Sequence, residues 1–377
     1  MKPGTGAIFL AAVLFALVGA SPQLALGQSG MPGVSGGGIA QFETYRFSDP
    51  DVVALRSVSL FSLPLGVRVT LPGNFRADVS TAFARGAIER PGGATTTLAG
   101  PTDTRIRVGT DALLDGRLSL GSVFVLPTGT DRFSGEEAAL AGILAADLLP
   151  FGISSWGSGG GIGAEAALSH ATDAGTLLLG GAFLVPGEYD ALDGGEFRYR
   201  PGAVFQLQAG VDRDVGAASR MSLQAIVQHY GEDALEGQNL FRSGNRILVL
   251  GSWAFPVGAA GSSIAWGGYL HRSSGSYLET LDARPSQGLF YGGIGLRQAW
   301  GRSILAPSVE VRVLRRDGGE DQGMLAGVGA ALEIPSGGLL VVPSLRARFG
   351  EALVREGASS TFTGLELGLG LRRRGQP

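Results

Sequence analysis

Apart from Lys2, every cationic side chain in this 377-residue chain is an arginine. Arg105 and Arg107 stand two apart in "TRIRV", Arg346 and Arg348 two apart in "LRARF", and Arg312 sits in "VEVRVLRR". A spacing of two puts side chains on one face of a strand. The other face then takes Ile106 and Val108, Val311 and Val313, and Leu345, Ala347 and Phe349. A guanidinium offers a planar fork of donors that matches carboxylates and other oxyanions. Two readings of these arginines stay open: wall charges paired with Glu310, Glu366 and Asp212, or a screen for ions and solutes passing an aqueous lumen.

Bond-breaking chemistry has fewer candidates. There is no cysteine, and the three histidines, His170, His229 and His271, show no metal-ligand spacing. "QHYGED" (228–233) brings His229 near Glu232 and Asp233, the one place where a hydrolase could be sought. "GSGGGIG" (157–163) has phosphate-loop glycine spacing but precedes a strand pattern, so it lacks the helix N-terminus that such a loop needs. No catalytic residue, metal or cofactor is expected. A net charge of −3 gives no case for nucleic acid.

The elements that must position the arginines are strands. In "VFQLQAGVD", Phe205, Leu207, Ala209 and Val211 oppose Gln206, Gln208 and Asp212; in "GLELGLGL", Leu365, Leu367, Leu369 and Leu371 oppose Glu366 and two glycines. That is the period of a strand with one apolar and one polar or small face. Short turn-like links fall at 71–74, 114–116, 172–175, 215–219, 257–262, 300–302 and 335–338. Longer, more polar links fall near 87–101, 128–158, 187–200, 231–242, 273–286, 316–321 and 350–360. Strict alternation of short turns and long loops is the pattern of an outer-membrane barrel, with short turns in the periplasm and long loops outside.

Seven hairpins and a last strand make an odd number, so "GIAQFETYRF" (38–47) is needed as a further strand. The expected fold is therefore all-β: a transmembrane antiparallel up-and-down barrel of about 14–16 strands over residues 38–373. Trp253, Trp266, Tyr269, Tyr291 and Trp300, near strand ends, are candidates for interface girdles. At the N-terminus, Lys2 followed by "AIFLAAVLFALV" (7–18) reads as a Sec signal, with cleavage expected after Gly27 (Ala20 being the other small-x-small site) and a flexible leader at 28–37. The expected location is the cell outer membrane.

One stretch breaks the strand pattern. "SGEEAALAGILAADLL" (134–149) opens with a capping box, Ser134 and Glu137, and places Leu140, Ile143, Leu144 and Leu148 on one helical face before Pro150 stops it. It lies in the third long loop. An inward-folded loop carrying this helix would narrow the pore, making those four residues and the five arginines the constriction candidates. The alternative is a helix lying over the barrel mouth.

The hairpin opening "FSLPLGVRV" (61–69) and the strand-ending "LPTG" (126–129), followed by a helix-bearing loop, resemble outer-membrane channels of the hydrophobic-compound type, the families associated with long-chain fatty-acid and aromatic-hydrocarbon uptake. The resemblance implies passive uptake of small hydrophobic molecules, with outer-membrane lipid and a small-molecule solute as partners. A general porin is similar in topology alone, through its inward third loop. A non-transporting structural or adhesive barrel and a barrel hydrolase are the alternative readings.

Overall fold

Side chains of opposite character follow one another along most of this chain, and the backbone answers with strands. The computed structural model describes residues 34–373 except 192, 194–197, 217, 259–260, 278–282, 317–320 and 356–357. The expected signal segment 1–27 and residues 28–33 of the expected leader lie outside the described residues.

In chain order the strands begin with β1 (Val34–Phe47), β2 (Ser57–Leu71), β3 (Phe75–Glu89), β4 (Thr95–Pro101), β5 (Thr104–Leu113) and β6 (Leu118–Leu126). Next come β7 (Gly161–Thr172), β8 (Gly175–Pro186), β9 (Tyr189–Asp190), β10 (Arg198–Arg200), β11 (Val204–Val215) and β12 (Ser219–Tyr230). Then follow β13 (Glu232–Leu235), β14 (Gln238–Arg242), β15 (Arg246–Val257), β16 (Gly261–Arg272), β17 (Gly275–Tyr277) and β18 (Ala283–Arg284). The last five are β19 (Gln287–Trp300), β20 (Ser303–Arg316), β21 (Asp321–Ser336), β22 (Leu339–Arg355) and β23 (Ala358–Arg373). Two α-helices interrupt them, α1 (Pro50–Val53) and α2 (Gly135–Leu144).

Neighbouring strands pair antiparallel around a ring, and β1 pairs with both β2 and β23, so the sheet closes into a 16-strand barrel. Closure leaves no edge, which satisfies every ladder N–H and C=O within the wall. One stave is built in two pieces: β5 pairs the lower part of β3 (Phe75–Ser80) and β4 its upper part (Phe83–Glu89). The seven short links all fall between directly paired strands.

The chain differs from the sequence expectation in four respects. Pairing of β1 begins at Val34 opposite Val69, inside the stretch read as leader. The links expected at 87–101 and 350–360 are wall instead: β3 and β4 form a hairpin turning at 91–93, and β22 and β23 continue to Arg355 and from Ala358. Their threonines, serines and glycines hid strands behind turn-like composition. The links 187–200, 231–242 and 273–286 carry a second sheet, ordered β18-β17-β14-β13-β10-β9. Finally, α2 ends at Leu144, capped by Ala145, rather than at 149, because Asp147 and Leu148 are drawn to the far wall, as described below.

Alternation sorts the side chains cleanly. Leu207 is 67% exposed on the outside while Gln206 and Gln208 are 4% exposed on the inside. Val309 and Val311 likewise face out, with Arg312, the next residue along, buried on the inner face. Apolar outward residues recur on every side of the ring, from Leu65 and Phe83 through Leu179, Leu223 and Phe290 to Leu345 and Leu369. Trp253 and Trp300 belong to this outer surface. Trp266 and Tyr291 do not: Tyr291 pairs with Arg312 and Trp266 with Gly293, placing both rings in the lumen rather than in a girdle.

Candidate functional site

The third loop, residues 127–160, packs against the inner wall. Its entry is tied to the mouth sheet: Arg132 bonds Asp190 at 3.1 Å, and the Asp193 N–H donates to the Phe133 carbonyl at 2.9 Å. The capping box forms as the sequence implies. The Glu137 N–H donates to Ser134 Oγ at 3.3 Å, and the Ser134 N–H donates to Glu137 Oε2 at 2.8 Å. Glu136 pairs with Arg90 at the top of the wall.

From there α2 lies against the inner surface of β3 and β4. Leu140 and Leu144 are fully buried in a cluster with Val58, Leu60, Ile88 and Leu98, and Ile143 packs at its edge. Gly86 opens the space: a Cβ there would stand 2.6 Å from Leu144 Cδ1. Of the expected apolar stripe, Leu140 and Leu144 thus face this wall, with Ile143 at their edge.

Beyond the helix the loop crosses to the opposite wall. Asp147 reaches β16 and β19, half the ring away from β3 and β4, where its carboxylate bonds Arg272 at 2.9 Å and accepts from Gln287 Nε2 at 2.6 Å. Leu148 lies over Gly323, where a Cβ would come within 2.7 Å of Leu148 Cδ2. The chain then returns: Phe151 meets Tyr45 edge-on at 5.2 Å, and the Gly152 N–H donates to Glu43 Oε2 at 2.9 Å. Trp156 is buried in the same cluster as α2, and Ser158 donates through N–H and Oγ to Asp103 at 2.8 and 2.6 Å.

Below the loop the inner wall is a ladder of ion pairs. Arg348 is its hub, bonding Glu366 at 2.5 Å and Glu310 at 2.8 Å, lying 3.7 Å from Glu43, and donating to the Tyr45 hydroxyl at 3.0 Å. Arg346 reaches Glu366 at 3.5 Å and Glu310 at 3.7 Å. Arg312 stands over the Tyr291 ring at 5.9 Å. Around the ring, Arg107 pairs with Glu165 and lies 3.7 Å from Asp78; Arg105 has Glu165 as its charged neighbour. Asp212 pairs with Arg220 at 3.0 Å. The five arginines singled out by their spacing thus fall into two groups, Arg105 with Arg107 and Arg312 with Arg346 and Arg348, on separate parts of the wall.

No protein family matches this sequence, and no curated protein matches it. Among solved structures the barrel is similar to one described as a bacterial polysaccharide outer membrane secretin, at a TM-score of 0.47 and 8% identity over 90% of this chain and 98% of that one. It is also similar to mutant forms of the Rhodopseudomonas blastica porin. A triple mutant gives a TM-score of 0.40 and 13% identity over 91% of this chain and 100% of that one. Another mutant gives 0.41 and 14% over 90% and 100%. At that level of likeness the function rests on this chain's own geometry.

The acid and histidine residues of 228–233 do not converge. His229 Nδ1 lies 2.9 Å from Asn245 Oδ1 on the outward face, Glu232 pairs with Arg242, and Asp233 accepts from the Tyr199 hydroxyl at 2.6 Å and the Gly202 N–H at 2.7 Å. Burial and the Asp233 bond hold the Tyr199 phenol well above its ordinary range; burial, with Asp233 near, pushes Tyr189 up to about 12. The Tyr199 hydroxyl is the donor in this second sheet, and the Tyr189 ring meets its ring edge-on at 5.6 Å. Among the described residues no group of acids and histidines could hold a metal. What sequence reasoning missed is Asp147. A lone aspartate after a helix carries no motif, and its partners lie more than a hundred residues away.

Proposed function

We propose that this protein is an outer-membrane channel through which small solutes with apolar bodies pass passively, its pore narrowed by the third loop. One observation carries the reading: a closed 16-strand ring with apolar side chains outward on every side and ion pairs inward. In water such an exterior would be an aggregation surface. In lipid it is the ordinary surface of a barrel, whose inner face is free to be wet and charged. The third loop supports a narrowed passage, since it touches β1, β3 and β4 on one side and β16 and β19 on the other. An apolar preference is supported by the cross-strand row of Ile226, Leu248, Leu270, Leu289 and Leu314 on the inner wall.

That same crossing of the lumen favours a second reading, a structural or adhesive barrel that transports nothing. Fractionation with the outer membrane and heat-modifiable gel mobility are expected under both. Conductance in planar bilayers separates them. The channel reading expects current from the intact protein and larger current once 134–149 is replaced by a glycine–serine bridge. Silence from both, with the barrel folded, leaves the structural barrel.

A further inference from the structure

At the mouth, the inner face of five successive staves presents one cross-strand row. Gln228 stands opposite Arg246, Arg246 opposite Arg272, Arg272 opposite Gln287, and Gln287 opposite Arg316. Like charges directly opposite in an antiparallel pair repel, so Arg246 beside Arg272 calls for an anion between them. Arg246 also lies 5.5 Å from the Tyr230 ring. Among the described residues Asp147 is the one carboxylate bonded to this row, and no described acid lies within salt-bridge distance of Arg246 or Arg316.

Two residues deeper on the same face, about 7 Å along the strands, runs a wholly apolar row. Ile226 stands opposite Leu248, Leu248 opposite Leu270, Leu270 opposite Leu289, Leu289 opposite Leu314, and Leu314 opposite Gly323. The next row down breaks the run, with Gln224 opposite Leu250, then Gly268, Tyr291 and Arg312. The apolar band is thus one row deep. It suits a compact hydrocarbon body, since a long chain would run onto Arg312.

The loop's own residues already occupy both rows: the Asp147 carboxylate on Arg272 and Gln287, and the Leu148 side chain on Gly323. Resting on the channel reading above, we propose that this is a binding site for a carboxylate carried on a compact apolar body. Asp147 and Leu148 are its built-in occupants, and such a solute displaces them and frees the loop from the far wall. The guanidinium row supplies the charge recognition, and binding needs the leucine row below it as well, which selects an organic acid.

The test uses the intact protein in detergent and in planar bilayers, with benzoate as probe, benzamide as its neutral match and phosphate as an anion without an apolar body. Calorimetry is expected to show benzoate binding that benzamide and phosphate lack. Asp147→Asn, which removes the competing charge, should tighten benzoate about tenfold, and Arg246→Gln with Arg272→Gln should weaken it by at least as much. Arg117→Gln, at the opposite end of the barrel, should leave it unchanged. In bilayers, benzoate should raise the wild-type conductance and have less effect on Asp147→Asn. Equal binding of benzoate and benzamide, or no tightening in a folded Asp147→Asn protein, overturns the site. Phosphate binding as well as benzoate keeps the anion row and overturns the apolar selection. If benzoate binds as described while no variant conducts, the site stands and the channel reading falls; conduction without benzoate discrimination does the reverse.

Discussion

Gly86 and Leu144 meet across the inner wall with no room for a methyl group between them: a Cβ on Gly86 would lie 2.6 Å from Leu144 Cδ1. The contact joins a wall strand to the helix of the third loop.

Enlarging Gly86 should therefore move the helix and leave the ring intact. Gly86→Leu is expected to assemble normally and to conduct more, because the strand ladder does not involve the side chain while α2 must leave its seat. Leu144→Asp should act alike, since an unpaired buried carboxylate costs several kcal/mol that the loop escapes by swinging into water. Single-channel conductance and leak of larger solutes are the measurements. Unchanged permeability in both variants would place the constriction elsewhere.

Val311 and Arg312 are chain neighbours on opposite faces of β20. Val311→Arg puts a charge against lipid, at a cost of roughly 2–4 kcal/mol near mid-depth, whereas an inner position tolerates change. Heat-modifiable mobility after refolding should fall for Val311→Arg and hold for Arg312→Val. Equal assembly of the two would reverse the assignment of faces.

Arg348 neutralises a crowded group of acids, Glu43, Glu310 and Glu366. Arg348→Met should lower stability by about 3–5 kcal/mol, the range for removing one partner of a buried ion pair. Arg346→Gln should cost less, because its contacts are longer and more exposed. Urea midpoints of barrels refolded into vesicles decide this; the reverse ranking would mean that Arg348 is not the hub.

Tyr199 ties the mouth sheet to Asp233. Tyr199→Phe should loosen that sheet by about 1.5–3 kcal/mol, the range for a hydrogen bond to a charged group. Cleavage by an added protease within 187–200 should then quicken while the barrel band persists on a gel. Equal cleavage of variant and wild type would show that the sheet is held by its backbone pairing alone.

Much of this was legible in the sequence because it is local. Alternation in "VFQLQAGVD" and "GLELGLGL" assigns inner and outer faces, since successive strand side chains must point to opposite sides. Ser134 and Glu137 announce the start of α2, since a capping box spans only three residues. Strand ends were legible only where composition marked them. At 87–101 and 350–360 threonine, serine and glycine read as loop, yet pairing with an already formed neighbour extended the wall through them.

The sequence by itself determined the closed sheet, its polar lumen and the helix in the third loop, because periodicity and capping act between residues a few positions apart. Only the tertiary structure decided where that helix rests, that Asp147 crosses the lumen to Arg272, and that Arg246, Arg272 and Arg316 share one row. Those relationships depend on cross-strand register and on contacts between segments as far apart as Asp147 and Arg272, and register is fixed only when the whole ring closes.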